Sequence, residues 1–398
     1  MLKSFEYRIY PNTEQKAQIA KHIGGCRWIY NYALEKKMKA WTTEKKSLSR
    51  FDIQADLPEL KKVESTKWLK DINSQSLQAS LEHLDKAYKM FFKTKKGFPK
   101  FKSKHNSKQS YSIPQYSKID FERELLIVPR IKPIKIVLHR KFDGKIKTVT
   151  IKKTSTNKYF VSILVEMEDI SKKLKTIKEI TTIGLDLGIK DFIALSNGEK
   201  ITNPKILKRY EHKLKDKQKI LSRRTKGSNN RLKAKLAVAK IHEKITNVRK
   251  DFLHKLSYRL THENQVSSIM IEDLNVSGMM KNQKLAKSIG DCSWSEFVRQ
   301  LEYKSKWYGI NFFKIDRFAP SSKLCSNCGT INQELTLKDR GWGCRNCGSM
   351  HDRDINASIN IKNIGIESIN KIPMERRKST LGENRCSKTI RLTQEVSA

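Results

Sequence analysis

The sequence predicts an α+β chain of several domains: a small β-barrel split by an inserted helical segment, then a mixed α/β region interrupted by a four-cysteine ribbon. Three observations predict it. Short β-type runs cluster between residues 110 and 168, with one more at residues 3–10, and a long stretch of helical periodicity separates the two. Beyond residue 180, strand-like and helix-like patterns alternate. Within that second region stand two CxxCG pairs, Cys325-x2-Cys328-Gly329 and Cys344-x2-Cys347-Gly348. A length of 398 residues accommodates two or three domains and a core that needs no covalent staples.

The elements follow in chain order. Residues 3–10 (KSFEYRIY) read as a strand that Pro11 stops, and Asn12 or Thr13 can cap a helix opening on Glu14-Gln15-Lys16. Leu77, Leu81, Leu84, Tyr88 and Phe91 recur at spacings of four, three, four and three, one face of a buried helix. The polar side of that helix, with Ser74, Gln75 and Gln78, is the part free to meet a ligand. A helical lobe is therefore expected over residues 13–104. Residues 93–108, which lead from this lobe into the next segment, are a basic linker in which Phe98 and Phe101 alternate with Lys100 and Lys102. Such a mixture stacks on bases and pairs with phosphates, or serves as a solvated loop with two aromatic anchors. The runs LLIVP, IKIVL, IKTVTIKK and YFVSILVEM, with a turn at Asp143-Gly144, complete a barrel assigned to residues 1–12 and 105–180.

In the second region, TTIGLDLGIK and DFIALSNG form a strand pair. Residues 203–260 read as two long helices broken at residues 225–230, with Val238, Ile241, Ile245, Val248, Phe252, Leu256 and Leu260 as the buried stripe of the second. This hairpin carries 19 basic and 4 acidic residues, an imbalance that favours phosphate contact, with Arg223, Arg224 and Arg231 at its turn. SSIMIEDL and FFKIDRF read as strands and DINASINIKNIG as a final helix. Residues 371–398 lack periodicity and are expected to be disordered.

Composition narrows the partners. Lys and Arg number 82 against 41 Asp and Glu, a formal net charge of +41. So large an excess calls for a polyanion. No apolar run approaches a membrane span and the first residues lack the apolar stretch of a signal peptide, so nucleic acid in a cytoplasmic, nucleoid-associated setting is expected, with no membrane partner. Seven cysteines, with Cys26, Cys292 and Cys386 isolated, do not make a secreted disulfide framework.

Fifteen residues separate the two CxxCG pairs, a spacing that matches a four-cysteine zinc ribbon, here residues 321–350. Four thiolates close the coordination sphere, so this zinc is structural. A pair of redox CxxC motifs would instead open helices in βαβ units.

Three acids carry the chemistry. In Ile183-Gly184-Leu185-Asp186-Leu187-Gly188-Ile189 the apolar residues alternate onto one face and Asp186 lies between glycines on the other. Those glycines are expected to clear space for a large ligand. Glu272 ends an apolar strand, and Asp354 opens the last helix, where the helix dipole favours a carboxylate. Like charges about 4 Å apart repel by roughly 4 kcal/mol at an effective dielectric near 20, so such a cluster asks for a cation. Magnesium suits an oxygen-only site, and two ions can activate water and steady the leaving oxygen of a phosphodiester, with Asp186 bridging and Glu272 and Asp354 at the flanks.

The segments IGLDLGIKDFIALSNG, IEDLNVSGM, RFAPSSKLCSNCG and HDRDINASINI, in this order, with the basic helical hairpin and the N-terminal FEYRIYPNTEQKAQI and GFPKFKSK, resemble the TnpB family, transposon-encoded RNA-guided DNA endonucleases also known as OrfB-type transposases and related to compact type V CRISPR effectors. The chain departs from that pattern at Ala319, where the family often has an aromatic. The resemblance implies an oligonucleotide-binding-like wedge barrel with the helical recognition lobe inserted, followed by a RuvC/RNase H-like nuclease domain over residues 181–320 and 351–370, split by the ribbon. It implies Asp186, Glu272 and Asp354 as catalytic ligands of two Mg2+ ions, and Cys325, Cys328, Cys344 and Cys347 as ligands of one Zn2+. It also implies a guide RNA encoded near the transposon end, a double-stranded DNA target beside a short flanking motif, and no need for oligomerisation. Ser74, Gln75 and Gln78 are the candidate readers of that motif. Two other readings stay open: a guide-independent RNase H-type resolvase or transposase, and a nuclease-silent RNA-guided repressor.

Overall fold

In the computed structural model, β1 (Leu2–Tyr10) buries Phe5, Tyr7 and Ile9 and turns Glu6 and Tyr10 outward, the alternation of a strand with one covered face. The structure describes residues 1–370 except 96, 106–108, 169–172, 264 and 337; the tail 371–398, with Cys386, lies outside the described residues. Two compact units, residues 1–169 and 170–398, divide the chain.

In the first unit Asn12 caps α1 (Thr13–Glu44): its side chain accepts from the Gln15 N–H, and the Gln15 side chain accepts from the Asn12 N–H. Short helices α2 (Arg50–Gln54) and α3 (Leu57–Leu60) and a 3-10 turn (Glu64–Asp71) lead to α4 (Ser74–Thr94). Leu77, Leu81 and Leu84 of α4 pack on Ile29, Tyr30 and Leu34 of α1, as the spacing predicts. The strands β2 (Gln109–Ile113), β3 (Lys118–Asp120), β4 (Leu125–Val128), β5 (Ile131–Val137), β6 (Lys145–Lys153) and β7 (Tyr159–Glu166) join β1 in one antiparallel sheet of order β2-β6-β7-β1-β5-β4-β3. The first strand thus pairs with β5 and β7, and the helices are an insertion between β1 and β2. The sheet is a half-barrel, because β2 and β3, two short strands that the sequence does not signal, are its edges.

The sheet region ends sooner than expected. The Lys175 N–H donates to the Gly309 carbonyl and its ammonium to Val266, and the Lys178 N–H donates to Ser267, so residues 175–181 belong to the second unit and not to a barrel running to residue 180.

The second unit is built on β8 (Thr182–Leu187), β9 (Asp191–Leu195), β10 (Lys200–Thr202), α5 (Ile206–Ser222), α6 (Asn229–Tyr258), β11 (Ser268–Glu272), α7 (Val276–Met279), α8 (Gln283–Cys292), α9 (Trp294–Tyr308), β12 (Asn311–Ile315), β13 (Gly341–Gly343), β14 (Met350–Asp352) and α10 (Arg353–Asn370). Its main sheet has the order β10-β9-β8-β11-β12; β8 is antiparallel to β9 and parallel to β11, and β11 is parallel to β12. Both faces are covered, so β11 is buried almost throughout. Ile269 and Ile271 join the core of α6, α8 and α9, and Met270 joins Ile361 and Ile369 of α10 on the other face. Among the described residues no helix is long and apolar enough to cross a membrane.

Candidate functional site

Helix α10 lies directly on β8. A Cβ at Gly184 would stand 2.0 Å from the Ser358 carbonyl oxygen, and one at Gly365 would stand 2.8 Å from Met270. The space around Asp186 is therefore not cleared for a ligand as the sequence suggests. Gly184 admits α10, and Gly188 admits the Asp191 carbonyl, whose oxygen would be 2.5 Å from a Cβ there. This packing brings the acids together. Asp186 is two residues along β8 from Gly184, about 6.6 Å. Asp354 is four residues back along α10 from Ser358, about 6 Å. Glu272 lies one step beyond the Ile271–Leu185 pair of β11 and β8, beside Asp186 and on the same face as Met270.

Burial, with the Glu272 and Asp354 carboxylates beside it, raises the Asp186 pKa well above the usual carboxylate range, against the pull of Arg353 and Lys200. Burial raises Glu272 to about 7, although its Oε1 accepts the Leu187 N–H at 3.1 Å. Both other acids are thus close enough to Asp186 to act on it. Asp352 plays a different part, since its Oδ1 accepts the N–H groups of Asp354 and Ile355 at 3.0 and 3.1 Å and starts α10. The Lys200 ammonium is 2.7 Å from Asp352 and 3.6 Å from Asp354. Lys200 carries no signal in the sequence, yet Lys200, Ala194 and Asp186 form one cross-strand row over β10, β9 and β8. Neighbours in such a row share a face. Arg317 holds the end of β11 by donating to the Asp273 carbonyl at 3.0 Å and its carboxylate at 2.5 Å.

The four cysteines form the second centre. Among the described residues they alone bring three or more candidate ligand atoms within 4.8 Å of one another. Cys325 and Cys347 sulfurs are 3.7 Å apart, and Cys328 and Cys344 sulfurs 3.6 Å. Sulfurs about 2.3 Å from one ion at tetrahedral angles stand about 3.8 Å apart, so the cluster has the size of a metal site. Two matched knuckles build it. The Gly329 N–H donates to the Cys325 carbonyl and the Gly348 N–H to that of Cys344, each at 2.9 Å, with the glycines at φ +75° and +71°. Hydrogen bonds from Thr330 lower the Cys328 thiol to about 5, while burial pushes Cys325 up to about 11, so a cation is needed to ionise the full set.

The other candidates are scattered. Gln78 is exposed and free to meet a partner, whereas the Ser74 hydroxyl accepts from Lys61 at 2.6 Å and the Gln75 amide donates to Gln115 at 2.9 Å. Lys100 is exposed; the Lys102 ammonium sits 4.0 Å from the centre of the Tyr30 ring, where burial lowers its pKa. Phe98 packs edge-on against Tyr88 and Phe91, an anchor, while Phe101 is exposed. Arg223 and Arg224 are exposed at the end of α5. Arg231 is engaged, donating to the Leu221 and Arg224 carbonyls at 3.0 and 2.7 Å, and so closes the helical hairpin.

Comparison with known proteins places these centres in context. A family model described as a probable transposase matches residues 162–283, a Cas12f1-like TNB domain model matches residues 294–361, and a helix-turn-helix model matches residues 1–46, where the structure has β1 and the single long α1. A Streptomyces pristinaespiralis protein named "Putative RNA-guided DNA endonuclease" is 40% identical over 366 residues, 92% of this chain and 89% of that one. Escherichia coli "Putative RNA-guided DNA endonuclease InsQ" is 31% identical over 375 residues, 90% and 91% of the two chains. Among solved structures, a Cas12f1–sgRNA–target DNA complex matches with a TM-score of 0.49 and 17% identity, over 91% of this chain and 99% of that one.

Proposed function

The chain belongs to the TnpB family, and from that premise we propose that it is itself an RNA-guided DNA endonuclease that hydrolyses phosphodiesters at one RuvC-like carboxylate site. The observation that supports this reading is the contact of α10 on β8 at Gly184, which brings the helix that opens on Asp354 to the strand that carries Asp186, a carboxylate that both Glu272 and Asp354 act on. All three donors are carboxylates, which suits Mg2+. Asp186, Glu272 and Asp354 are the residues that would hold the two Mg2+ ions of this reading. Ions bound there supply an activated water and charge to steady the leaving oxygen. The protein's own part is to hold Asp186 and Glu272 on the sheet face that α10 covers, bring Asp354 to them at the start of that helix, keep Glu272 oriented through the Leu187 N–H, and set Lys200 across the row from Asp186 to balance their charge.

Zinc is the ion proposed for Cys325, Cys328, Cys344 and Cys347, with a structural role, since four thiolates leave no open position. The net charge of +41 suits a guide RNA and the DNA strands it pairs with and displaces. The guide comes from the transposon end in this reading, and Gln78, with Ser74 and Gln75 beside it on α4, faces the flanking motif. Lys100, Lys102, Arg223 and Arg224 contact backbone phosphate. Cytoplasmic, nucleoid-associated action, with no need for oligomerisation, completes the proposal.

The test uses the protein co-expressed with its guide and a plasmid carrying the matched target. Mg2+-dependent linearisation is expected, abolished by EDTA and by Asp186→Ala, with gel-shift affinity for target DNA retained. Equal cutting by Asp186→Ala would refute the assignment of the site. Cutting after the RNA is digested away would point to a guide-independent resolvase, and intact binding without any cutting by the unmodified protein to a silent repressor.

A further inference from the structure

We infer that Asn356 is the positioning residue through which the four-cysteine ribbon sets Asp354 in the acid site. The inference rests on the carboxylate reading above. Asn356 is 1% exposed in the first turns of α10, two residues after Asp354. Its Nδ2 donates to the Leu324 carbonyl at 2.7 Å, and its Oδ1 accepts the Ser326 N–H at 2.9 Å. The amide therefore clasps the backbone on both sides of Cys325. One turn on, Asn360, 2% exposed, donates to the carbonyls of Ser321 and Leu324 at 2.8 and 2.6 Å. Just before α10, the His351 Nε2 lies 3.1 Å from the Cys325 sulfur.

Packing alone does not require this. An apolar side chain fills a buried helix position without the cost of hiding an amide. The buried asparagine is satisfied only while the Leu324–Ser326 backbone keeps its knuckle shape, in which the Cys325 N–H donates to Thr330 and the Gly329 N–H to Cys325. A metal on the cysteines fixes that shape. Its loss frees the knuckle, leaves a buried amide unpaired, and releases the first turn of α10, where Asp354 stands. The rest of α10 stays held against β8 and β11 at Gly184 and Gly365. Asn356 is thus the tie nearest to Asp354 between the two metal centres, with Asn360 one turn behind it, and by linkage each centre favours occupancy of the other.

The test measures Mn2+ binding by electron paramagnetic resonance on the full-length protein with its co-purified RNA, alongside zinc content, melting temperature and cleavage kinetics. In the unmodified protein, stripping the zinc with a chelator should weaken Mn2+ binding at least ten-fold, and Asp186→Asn should abolish it. Asn356→Leu should keep its zinc and DNA affinity, yet bind Mn2+ at least ten-fold more weakly and lose kcat with KM for DNA unchanged. Zinc removal from Asn356→Leu should then cause a much smaller loss than it does in the unmodified protein. Mn2+ affinity in Asn356→Leu equal to the unmodified protein's, or an equal response to zinc removal in both, overturns the inference. Mn2+ affinity in the unmodified protein that ignores zinc removal overturns it without any variant. Failure of Asp186→Asn to reduce Mn2+ binding would sink the carboxylate site itself, and this inference with it.

Discussion

Gly184 and Ser358 meet so closely that a Cβ on the glycine would lie 2.0 Å from the serine carbonyl oxygen and 2.7 Å from the Lys362 nitrogen. Both neighbours are backbone and cannot swing aside, so α10 would have to lift from β8. Gly184→Ala is expected to destabilise the protein by about 1–3 kcal/mol, toward the upper end, and to reduce cleavage severely because Asp354 moves with the helix. Gly290→Ala is the control. That glycine is inside α8, and its Cβ would meet only Met280, at 3.5 Å. It should be neutral or stabilise by about 0.5–1 kcal/mol. Urea denaturation of the two variants checks the contrast; equal effects would mean that α10 does not depend on the missing side chain.

Glu272 makes the site costly in the absence of metal. Its folded pKa of about 7 lies above its ordinary value of 4.5 because the carboxylate is buried. Between those values the folded chain binds more protons than the unfolded chain, so metal-free stability should fall as pH rises from about 4.5 to about 7. Glu272→Gln keeps the acceptor for the Leu187 N–H and removes the charge. It should be more stable than the unmodified protein at pH 8, by on the order of 1–3 kcal/mol, with the gap closing toward pH 4.5, and it should not cleave. Mg2+ should raise the melting temperature of the unmodified protein more at pH 8 than at pH 5.5. Melting curves in EDTA and in Mg2+ decide this; a variant no more stable at pH 8 would count against burial of an ionised Glu272.

The acids and the cysteines are legible in the sequence because their signals are local. A CxxCG knuckle is a turn whose glycine takes positive φ, Asp186 and Glu272 mark the middle and end of apolar runs, and Asp354 opens a helix. What joins them is not legible. Gly184 reads equally well as room for a ligand or room for a helix, and only the register of α10 on β8 decides. Lys200 joins Asp186 only through two strand pairings, and Asn356 meets the ribbon only in three dimensions. The edge strand β3 (KID) is too short to show a period of two, and β2 (QSYSI) shows it over only four residues, with Tyr111 and Ile113 buried. Helix α9 is not among the expected elements, although Trp294, Phe297 and Leu301 stand three and four apart, all within 2% exposure, on its buried face. Its aromatic stripe is a helical signal, but a short one, lying between segments whose motifs dominate the pattern.

His22 should give the first unit an acid-side weakness. The ring is fully buried, with Nδ1 donating to the Gln18 carbonyl at 2.9 Å and Nε2 accepting the Asn73 N–H at 3.3 Å, which fixes the neutral form and ties α1 to the start of α4. Burial lowers its pKa below the ordinary 6.5. As pH falls through 6.5 the unfolded chain takes up the proton first, so the stability this contact contributes is complete above 6.5 and is lost on acidification toward the folded value. The slope is at most about 1.4 kcal/mol per pH unit. Urea titrations at pH 5 to 8 should show it, and His22→Leu, less stable at pH 8, should flatten it. An unchanged slope in that variant would assign the acid sensitivity to other groups.

Arginines at one turn separate phosphate contact from scaffold. Arg223 and Arg224 present free guanidinium groups at the end of α5, whereas Arg231 is bonded to the carbonyls of Leu221 and Arg224. If the hairpin grips a nucleic-acid backbone, each of Arg223→Ala and Arg224→Ala should reduce the slope of log affinity against log salt by about 0.7–0.9, for RNA or duplex, without changing the melting temperature. Arg231→Ala should leave that slope nearly unaltered and destabilise the hairpin by about 1–2 kcal/mol, since two carbonyls at its turn lose a charged donor. Filter binding from 50 to 300 mM salt, paired with thermal melts, distinguishes the two behaviours. Equal salt slopes for all three variants and the unmodified protein would remove this turn from the nucleic-acid interface and leave Arg223 and Arg224 as solvated surface.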